Sequence, residues 1–505
     1  MNANLYALFA ARFPQDRSAL FLETDTGEHY RYADLERETA RLASCLTGLG
    51  IARGERVAVQ VEKSPQALFL YLACQRAGLV YVPLNSAYLE GEVSYFLENA
   101  EPKVVVAQPK SLRWLRPLAD RLGIEHVLSL DENGQGTLMD GAAAAANAFV
   151  TAQSAPHDLA AILYTSGTTG RAKGAMITQR NLSSNALVLH RFWGFEPQDV
   201  LLHSLPLFHV HGLFVASHCV LLNGSSMIFH RKFDVKAVLR DLPRATVFMG
   251  VPTFYSRLLG EAGFNREVCR HMRLFISGSA PLLPETFTEF QQRSGHTILE
   301  RYGMTETGML LSNPLDGARI GGTVGVALPD VSARIVDDDN QELRAGEVGH
   351  IQVKGENVLS GYWRMPEKNK EEFTPDGYFK TGDLGKVDVK GYFSIVGRSK
   401  DLVICGGYNV YPKEIELLID ELPDVVESAV IGLPHPDFGE AVVAVIVPKK
   451  GGNALTEESV IASLKHRLAN FKVPKRVYFV DDLPRNAMGK VQKDELRKRY
   501  AAWQR

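Results

Sequence analysis

The feature that most constrains this chain is a short stretch rich in glycine and hydroxyl groups, YTSGTTGRAKG, at residues 164–174. It follows an apolar run at residues 159–163, typical of a buried strand, and it precedes residues 175–189, which the pattern predicts to be a helix. Its three glycines, five hydroxyl side chains and two cations suit a wrap around phosphate groups. Glycine lets the backbone approach, while N–H groups, hydroxyls and Lys173 supply donors and charge. The stretch therefore predicts a loop that binds a nucleoside triphosphate.

Short apolar strands alternate with helices along most of the chain. Strands are predicted at residues 56–61, 80–84, 104–107, 227–229, 246–251 and 274–277. Ser64 and Pro65 have the N-cap and first-turn pattern of a helix that runs towards Gly78. A repeated order of strand, helix and strand indicates α/β layers with largely parallel sheets.

The pattern changes after about residue 325, where valines between turn glycines predict a small antiparallel, β-barrel-like region. A chain of 505 residues exceeds what one core usually organises, so we expect two domains. The large α/β domain is predicted at residues 1–397, a polar hinge at 398–401, and a small α+β domain at 402–505. Within the small domain the pattern predicts a helix, two strands, a helix and a strand, at residues 412–419, 425–431, 441–447, 456–471 and 476–480.

Charge and cysteine usage narrow the class of protein. A formal net charge of -2 gives no electrostatic case for binding nucleic acid. The odd number of cysteines, five, without CxxC spacing, argues against a disulfide framework and a structural zinc site. No apolar run is long enough for a membrane span. We therefore expect a large enzyme of the reducing cytoplasm, with the mitochondrial matrix as the alternative because residues 1–13 have a weakly amphipathic spacing.

Five motifs, in order, resemble those of the adenylate-forming superfamily, which includes acyl-CoA synthetases, amino-acid adenylation domains and luciferases. They are YTSGTTGRAKG at residues 164–174, RYGMTET at 301–307, YFKTGD at 378–383, GRSKD at 397–401 and PRNAMGK at 484–490. The first motif is not the GxxxxGK[ST] phosphate loop, because no Ser or Thr follows Lys173. The resemblance implies that ATP activates a carboxylate as an acyl-adenylate, which a thiol then attacks.

The resemblance also implies the ATP-binding side of the site. Its members would be Thr165, Ser166, Gly167, Thr168, Thr169, Gly170, Lys173, Gly278, Ser279, Ala280, Tyr302, Asp383 and Arg398. Asp383 would hold the ribose hydroxyls, Thr305 would contact phosphate as a catalytic residue, and Glu306 would bind Mg²⁺. A carboxylate is the ligand expected for such a hard cation.

The last motif implies the catalytic lysine. By the resemblance, Lys490 lies between the substrate carboxylate and the α-phosphate, where its compact ammonium suits the developing charge. Lysines equivalent to it are acetylated in related synthetases, so Lys490 is also a candidate for acetylation. The resemblance further implies a mobile C-terminal domain that rotates about Lys400 and brings Gly406 and Gly407 to the pantetheine arm of coenzyme A.

Four segments are similar to malonyl-CoA synthetases: residues 203–213, 250–259, 275–282 and 300–306. The acyl-binding residues implied by this similarity are His209, Arg257, Ser277, Ser279 and Met304. Malonate keeps a second carboxylate ionised, and the guanidinium of Arg257 with serine hydroxyls could satisfy that charge. A monocarboxylate would leave the guanidinium without a partner, which costs several kcal/mol.

The same residues also allow other functions. Val210 and Gly308 depart from the pattern of many malonate enzymes, so methylmalonate is an alternative substrate. A ligase for a short or medium-chain or aryl monocarboxylate is the nearest rival. An adenylation enzyme that loads a carrier protein, or a nucleotide-binding protein without catalysis, is a further alternative.

Overall fold

The structure is a computed structural model that describes residues 2–165, 172–405, 408–435, 439–451 and 455–501. Its strands form four sheets, with nine, six, five and four strands. Helices pack on the sheets in a large N-terminal part and in a small C-terminal part, which confirms the predicted mixed α/β class. Within the described ranges, no helix combines the length and the apolar character that crossing a bilayer requires.

The first third of the chain alternates strands with helices. Its elements are α1 (Leu5–Ala10), β1 (Leu20–Thr24), β2 (His29–Arg31), α2 (Tyr32–Gly48), β3 (Arg56–Gln60), α3 (Pro65–Ala77), β4 (Val80–Pro83), α4 (Glu90–Ala100), β5 (Val104–Ala107), α5 (Leu112–Leu122), β6 (His126–Ser129), α6 (Thr137–Ala144), β7 (Leu159–Thr165) and β8 (Lys173–Thr178). The six-stranded sheet has the order β6-β5-β3-β4-β7-β8. All its pairs are parallel except β7 with β8.

The predicted start and end of α3 are confirmed. The side chain of Ser64 accepts a hydrogen bond from the backbone N–H of Ala67, and Pro65 occupies the first turn. Gly78 ends the helix in the left-handed conformation, at φ 71°, which glycine adopts without a steric penalty. Helix α3 is buried along nearly its whole length and supports the sheet from one face.

The helix predicted for residues 175–189 begins later than expected. Residues up to Thr178 form strand β8, which runs antiparallel to β7, and helix α7 begins only at Gln179. The reason is local, because Thr178 is the N-cap and exchanges the two hydrogen bonds of a capping box with Asn181. The phosphate loop therefore connects two strands of a hairpin and does not lead directly from a strand into a helix.

The middle of the chain builds the nine-stranded sheet together with β1 and β2. Its elements are α7 (Gln179–Phe192), β9 (Val200–His203), α8 (Ser217–Asn223), β10 (Ser226–Phe229), α9 (Val235–Asp241), β11 (Val247–Gly250), α10 (Pro252–Leu259), β12 (Leu274–Ser277), α11 (Pro284–Ser294), β13 (Leu299–Met304), β14 (Gly308–Ser312) and β15 (Val326–Ala327). The order is β15-β14-β13-β12-β11-β9-β10-β1-β2. The predicted strands at residues 227–229, 246–251 and 274–277 are confirmed as β10, β11 and β12.

Parallel pairing in this sheet positions the candidate site. Strands β9, β11, β12 and β13 run in parallel, so their carboxyl ends lie at one edge of the sheet. The segments that follow these strands contain several predicted residues: His209, Arg257, Gly278, Ser279, Ala280, Thr305 and Glu306. Ligands of open α/β sheets bind at this edge.

The last third of the chain forms two smaller sheets. Its elements are β16 (Val331–Val336), β17 (Gly349–Gly355), α12 (Pro366–Glu372), β18 (Phe379–Val387), β19 (Phe393–Arg398), β20 (Val403–Cys405), β21 (Tyr408–Val410), α13 (Pro412–Asp420), β22 (Val425–His435), β23 (Gly439–Pro448), α14 (Glu457–Lys465), β24 (Arg476–Phe479) and α15 (Lys493–Tyr500). Strands β16 to β19 form an open antiparallel sheet, and no closed barrel occurs among the described residues. The predicted order of elements after residue 412 is confirmed, although α14 ends at Lys465.

Candidate active site

The two ends of the phosphate loop are fixed by strand pairing. Thr165 and Lys173 are Cα partners in the β7 and β8 hairpin. The Lys173 ammonium lies 3.0 Å from Glu372 Oε1 and 4.2 Å from the centroid of the Tyr362 ring. The predicted residues within the loop, Ser166, Gly167, Thr168, Thr169 and Gly170, lie outside the described residues.

Glu306, the predicted metal ligand, lies next to the start of this loop. Its side chain is 6% exposed, and its Oε1 accepts hydrogen bonds from Thr165 Oγ1 at 3.2 Å and from the Tyr362 hydroxyl at 3.1 Å. Its Oε2 accepts none from the described residues. One hard oxygen therefore remains for a cation, which fits Mg²⁺. The described residues contain no cluster of three metal-ligating side chains, so phosphate oxygens and water would complete the coordination.

The predicted ribose-binding residues are brought together by strand register. Asp383 on β18 and Arg398 on β19 are Cα partners, and Arg398 Nε lies 2.6 Å from Asp383 Oδ1. The Tyr302 hydroxyl donates to Asp383 Oδ2, and burial raises the pKa of Tyr302. Asp383 is buried and fixed by these two partners, which is the arrangement that a preorganised hydrogen-bonding carboxylate requires.

Lys490 lies on a tight loop close to this pair. The Asn486 side chain accepts hydrogen bonds from the backbone N–H groups of Met488 and Lys490, both at 3.0 Å. Gly489 has φ 74° and lies close to Thr253 on α10. A Cβ added at position 489 would lie 3.1 Å from the hydroxyl oxygen of Thr253. Burial, with the Arg398 charge, lowers the pKa of Lys490 to about 8. The C-terminal part of the chain thus brings a partly buried ammonium to the N-terminal part.

This pKa predicts a pH limit on adenylate formation. An ammonium with a pKa of about 8 loses its charge above that pH, whereas an unperturbed lysine stays charged to about 10.4. Because kcat/KM reports the free enzyme, kcat/KM for ATP in pyrophosphate exchange should fall about tenfold per pH unit above that value. Lys490→Arg, which stays protonated, should move the start of this fall upward to about pH 9, where Arg301 loses its charge. A wild-type profile that is flat to about pH 10 would contradict the prediction.

Two histidines lie after β9 at the edge of the nine-stranded sheet. Burial, with the Arg301 charge, lowers the pKa of His209 to about 4, so its imidazole is neutral at pH 7. His209 Nδ1 accepts a hydrogen bond from the backbone N–H of His211 at 3.2 Å. His211 begins a π-helical turn, His211–Ala216, and its Nδ1 lies 3.3 Å from Ser279 Oγ. The predicted acyl residues His209 and Ser279 are therefore linked through His211.

Arg301 is the buried cation of this region. Its side chain is 3% exposed, and its Nε and one terminal nitrogen have no hydrogen-bond partner within the described part of the chain. The guanidinium lies over Gly278, where a Cβ would come within 2.5 Å of it. Burial lowers the pKa of Arg301 to about 9, which keeps it charged at pH 7. The buried hydroxyl of Ser277, next to Gly278, also has no partner in the described ranges.

Arg257, the guanidinium predicted from the sequence, is exposed on α10 and makes no hydrogen bond or ion pair with any described residue. Its role in acyl binding stays a prediction. Arg301 was not among the predicted site residues, although it belongs to the RYGMTET motif. The signal that could have identified it is a charged residue in the buried first half of strand β13.

The remaining predicted residues lie in different parts of the chain, and two of them fall outside the described residues. Met304 is the last residue of β13 and is half-buried, as are Thr305, which follows it, and Ala280. Lys400 lies in a short 3₁₀ turn, Ser399–Asp401, and its ammonium is 3.3 Å from Asp494 on α15. Gly406 and Gly407 lie outside the described residues, so their predicted contact with coenzyme A has no structural account here.

A hairpin at the predicted phosphate loop, a buried carboxylate predicted to bind ribose and a lysine from a small C-terminal domain are together typical of a nucleotide-binding enzyme with two parts. The chain belongs to the family of AMP-binding enzymes. The family described as AMP-binding enzyme matches residues 7–363, and the AMP-binding enzyme C-terminal domain matches residues 414–490. The resemblance stated from the motifs is therefore confirmed.

Individual relatives give a finer comparison. The ATP-bound crystal structure of MatB from Rhodopseudomonas palustris is 54% identical to this chain, with a TM-score of 0.98 and 100% of both chains covered. Apo MatB from that organism has a TM-score of 0.86. The malonate–CoA ligase of Arabidopsis thaliana is 34% identical over 98% of this chain and 89% of its own length. The indoleacetate–CoA ligase of Aromatoleum aromaticum is 35% identical over 93% of each chain.

Proposed function

We propose that this protein is an ATP-dependent ligase that joins malonate to coenzyme A through a malonyl-adenylate and releases AMP and pyrophosphate. The observation that carries the choice of acid is the buried guanidinium of Arg301, two nitrogens of which have no hydrogen-bond partner among the described residues. A buried cation without a partner costs several kcal/mol, so the site favours an acid that brings a second anion. The second carboxylate of malonate supplies that anion, and the Ser277 hydroxyl can donate to it.

The comparisons support this choice without deciding it. Relatives of nearly equal identity are named for malonate and for indoleacetate, so identity alone does not select the acid. The charge of Arg301 separates these two acids, because an aromatic monocarboxylate would leave the guanidinium buried and unpaired.

In the first half-reaction, a malonate carboxylate oxygen attacks the α-phosphorus of ATP, and the bond from that phosphorus to the pyrophosphate oxygen breaks. Asp383 and Arg398 would hold the ribose, and Lys173 would exchange Glu372 for a phosphate oxygen. The Lys490 ammonium would neutralise charge between the carboxylate and the α-phosphate. Magnesium, held by Glu306 with Thr305 close by, would supply Lewis-acid stabilisation of the phosphate oxygens.

The position of Lys490 supports its proposed part in this first step. Lys490 lies close enough to Asp383 and Arg398 for their charges to shift its pKa. The higher TM-score to ATP-bound MatB than to apo MatB supports the same interpretation. In the second half-reaction the thiol of coenzyme A attacks the acyl carbonyl, AMP leaves and the thiol proton is lost. We propose that rotation about Lys400 precedes this step and that Gly406 and Gly407 then line the path of the thiol.

An acid panel tests the proposal. The full-length enzyme with ATP, Mg²⁺ and coenzyme A should release AMP fastest with malonate, followed by methylmalonate, and at least about tenfold more slowly with acetate, butyrate or benzoate. The rival function, a ligase for monocarboxylates, predicts the reverse order. Pyrophosphate exchange without AMP release in the presence of coenzyme A would instead indicate an enzyme that loads a carrier protein.

We also propose a cytoplasmic location, for which the free state of all five cysteines is the support. The mitochondrial matrix is the alternative, and fractionation of cells that express a tagged chain would separate the two. Acetylation of Lys490 stays a prediction, and it would remove the charge that the first half-reaction needs.

A further inference from the structure

Tyr362 connects two groups that the proposed chemistry uses. Its hydroxyl donates to Glu306 Oε1 at 3.1 Å, while the face of its ring lies 4.2 Å from the Lys173 ammonium. Glu306 is the proposed metal ligand, and Lys173 is the proposed cation for the phosphates. The Tyr362 side chain is buried, and no motif read from the sequence includes this residue.

The backbone around Tyr362 is fixed to the same two places. The N–H of Trp363 donates to the carbonyl of Gly174, next to Lys173, at 2.8 Å, and Ala175 and Tyr362 form an antiparallel bridge. The N–H of Leu359 donates to the backbone carbonyl of Glu306 at 2.7 Å. The segment is thus attached to strand β8 on one side and to the Glu306 backbone on the other. Attachment on both sides holds the Tyr362 side chain within the narrow range of positions that a phosphoryl-transfer site requires.

The choice of acceptor argues against a role in packing alone. A buried phenol needs a hydrogen-bond partner, and a backbone carbonyl would be enough. The Tyr32 hydroxyl, for example, donates to the backbone carbonyl of Ser225 at 2.7 Å. Tyr362 instead donates to the oxygen that also accepts from Thr165. Two donors on Oε1 fix the rotation of the carboxylate, which leaves Oε2 for the cation.

We propose that Tyr362 is a positioning residue that orients the metal-binding carboxylate of Glu306 through its hydroxyl and holds the Lys173 ammonium through its ring. One side chain then sets the spacing between the metal and the phosphate-binding cation. The proposal rests on the proposed role of Glu306. It concerns the binding of ATP with magnesium and is independent of which acid is the substrate.

The test measures ATP binding by calorimetry on the full-length protein without acid or coenzyme A, once with EDTA and once across a Mg²⁺ titration. Tyr362→Phe keeps the ring and loses the hydroxyl, so metal-free ATP affinity should change less than twofold. The Mg²⁺ concentration at half-effect should rise about tenfold, the size typical for loss of a partner of a metal ligand. Tyr362→Met loses ring and hydroxyl, so metal-free affinity should also fall, by about fivefold.

Two further variants make the outcome decisive. Tyr32→Phe removes a buried hydroxyl that contacts no proposed site residue, and it should leave both quantities unchanged. Glu306→Gln should abolish the effect of Mg²⁺, and its failure to do so would overturn the proposed metal ligand. If Glu306→Gln behaves as expected but Tyr362→Phe keeps the wild-type Mg²⁺ midpoint within twofold, the positioning role of Tyr362 is refuted.

Discussion

Replacing Lys490 with alanine should reduce malonate-dependent pyrophosphate exchange by about 10³-fold, because the variant loses the ammonium that the C-terminal part brings close to Asp383 and Arg398. Charge develops on the α-phosphate oxygens during transfer, and a partly buried cation stabilises it more than a solvated one does. The Lys490 loop is held by Asn486 through hydrogen bonds to the backbone, so the loop should keep its shape without the side chain. We therefore expect the loss of activity to come from the missing ammonium and not from a change in the shape of the loop.

The second half-reaction provides the control for this variant. Thioester formation from supplied malonyl-adenylate and coenzyme A should stay within about threefold of wild type, because that step needs no charge at the α-phosphate. Lys498→Ala, an exposed lysine of the same tail, should leave both steps unchanged. Equal loss of both half-reactions in Lys490→Ala would contradict the proposed role and would indicate a general disturbance of the C-terminal domain.

The parts of the site that could be predicted from the sequence are those in which adjacent residues determine the geometry. Thr165 and Lys173 flank one loop, and the motifs around Asp383 and Arg398 lie on strands that pair directly. Short apolar runs also predicted part of both large sheets, namely β3, β4, β5, β7, β10, β11 and β12, because a buried parallel strand leaves few choices of residue. The predicted start of helix α7 at residue 175 was wrong because β8 is stabilised by pairing with β7, which the local pattern does not contain.

Features that depend on distant packing could not be predicted in this way. Arg301 reads as an ordinary arginine beside a tyrosine, and its burial follows from Gly278, which comes close only because β12 and β13 pair. Tyr362 meets Glu306 across 56 residues of sequence and contacts Lys173 through a ring face. No regular spacing in the sequence predicts either contact, so each could be found only from the folded structure.

These contacts divide the candidate site into two halves with different physical demands. The nucleotide half is made of paired groups: Lys173 with Glu372, and Asp383 with Arg398. Such pairs can exchange partners with ATP at little net cost in charge burial. The acyl half contains buried polar atoms of Arg301 and Ser277 that have no hydrogen-bond partner in the part of the chain that the structure describes. An unpaired buried charge destabilises the free protein and makes discrimination between acids stronger, because only a matching anion relieves it.

Replacing Arg301 with methionine should therefore separate activity from stability. We expect kcat/KM for malonate to fall about 10²- to 10³-fold, since the second carboxylate would then be buried without its partner. Activity with butyrate should be unchanged or higher. The midpoint of thermal unfolding of the free protein should rise, because an apolar side chain of similar length replaces a buried cation, two nitrogens of which find no partner in the described ranges. The midpoint is the appropriate readout, since a chain with two domains need not unfold in one step.

Arg257→Ala is the matched control, because it removes a guanidinium from an exposed position on α10. If Arg301 alone anchors the second carboxylate, Arg257→Ala should keep malonate turnover within about threefold and leave the unfolding midpoint unchanged. If both arginines contact malonate, each variant should lower malonate activity selectively, but only Arg301→Met should raise the midpoint. An Arg301→Met enzyme that still prefers malonate over butyrate by the wild-type ratio would overturn the anchor and, with it, the charge argument for malonate.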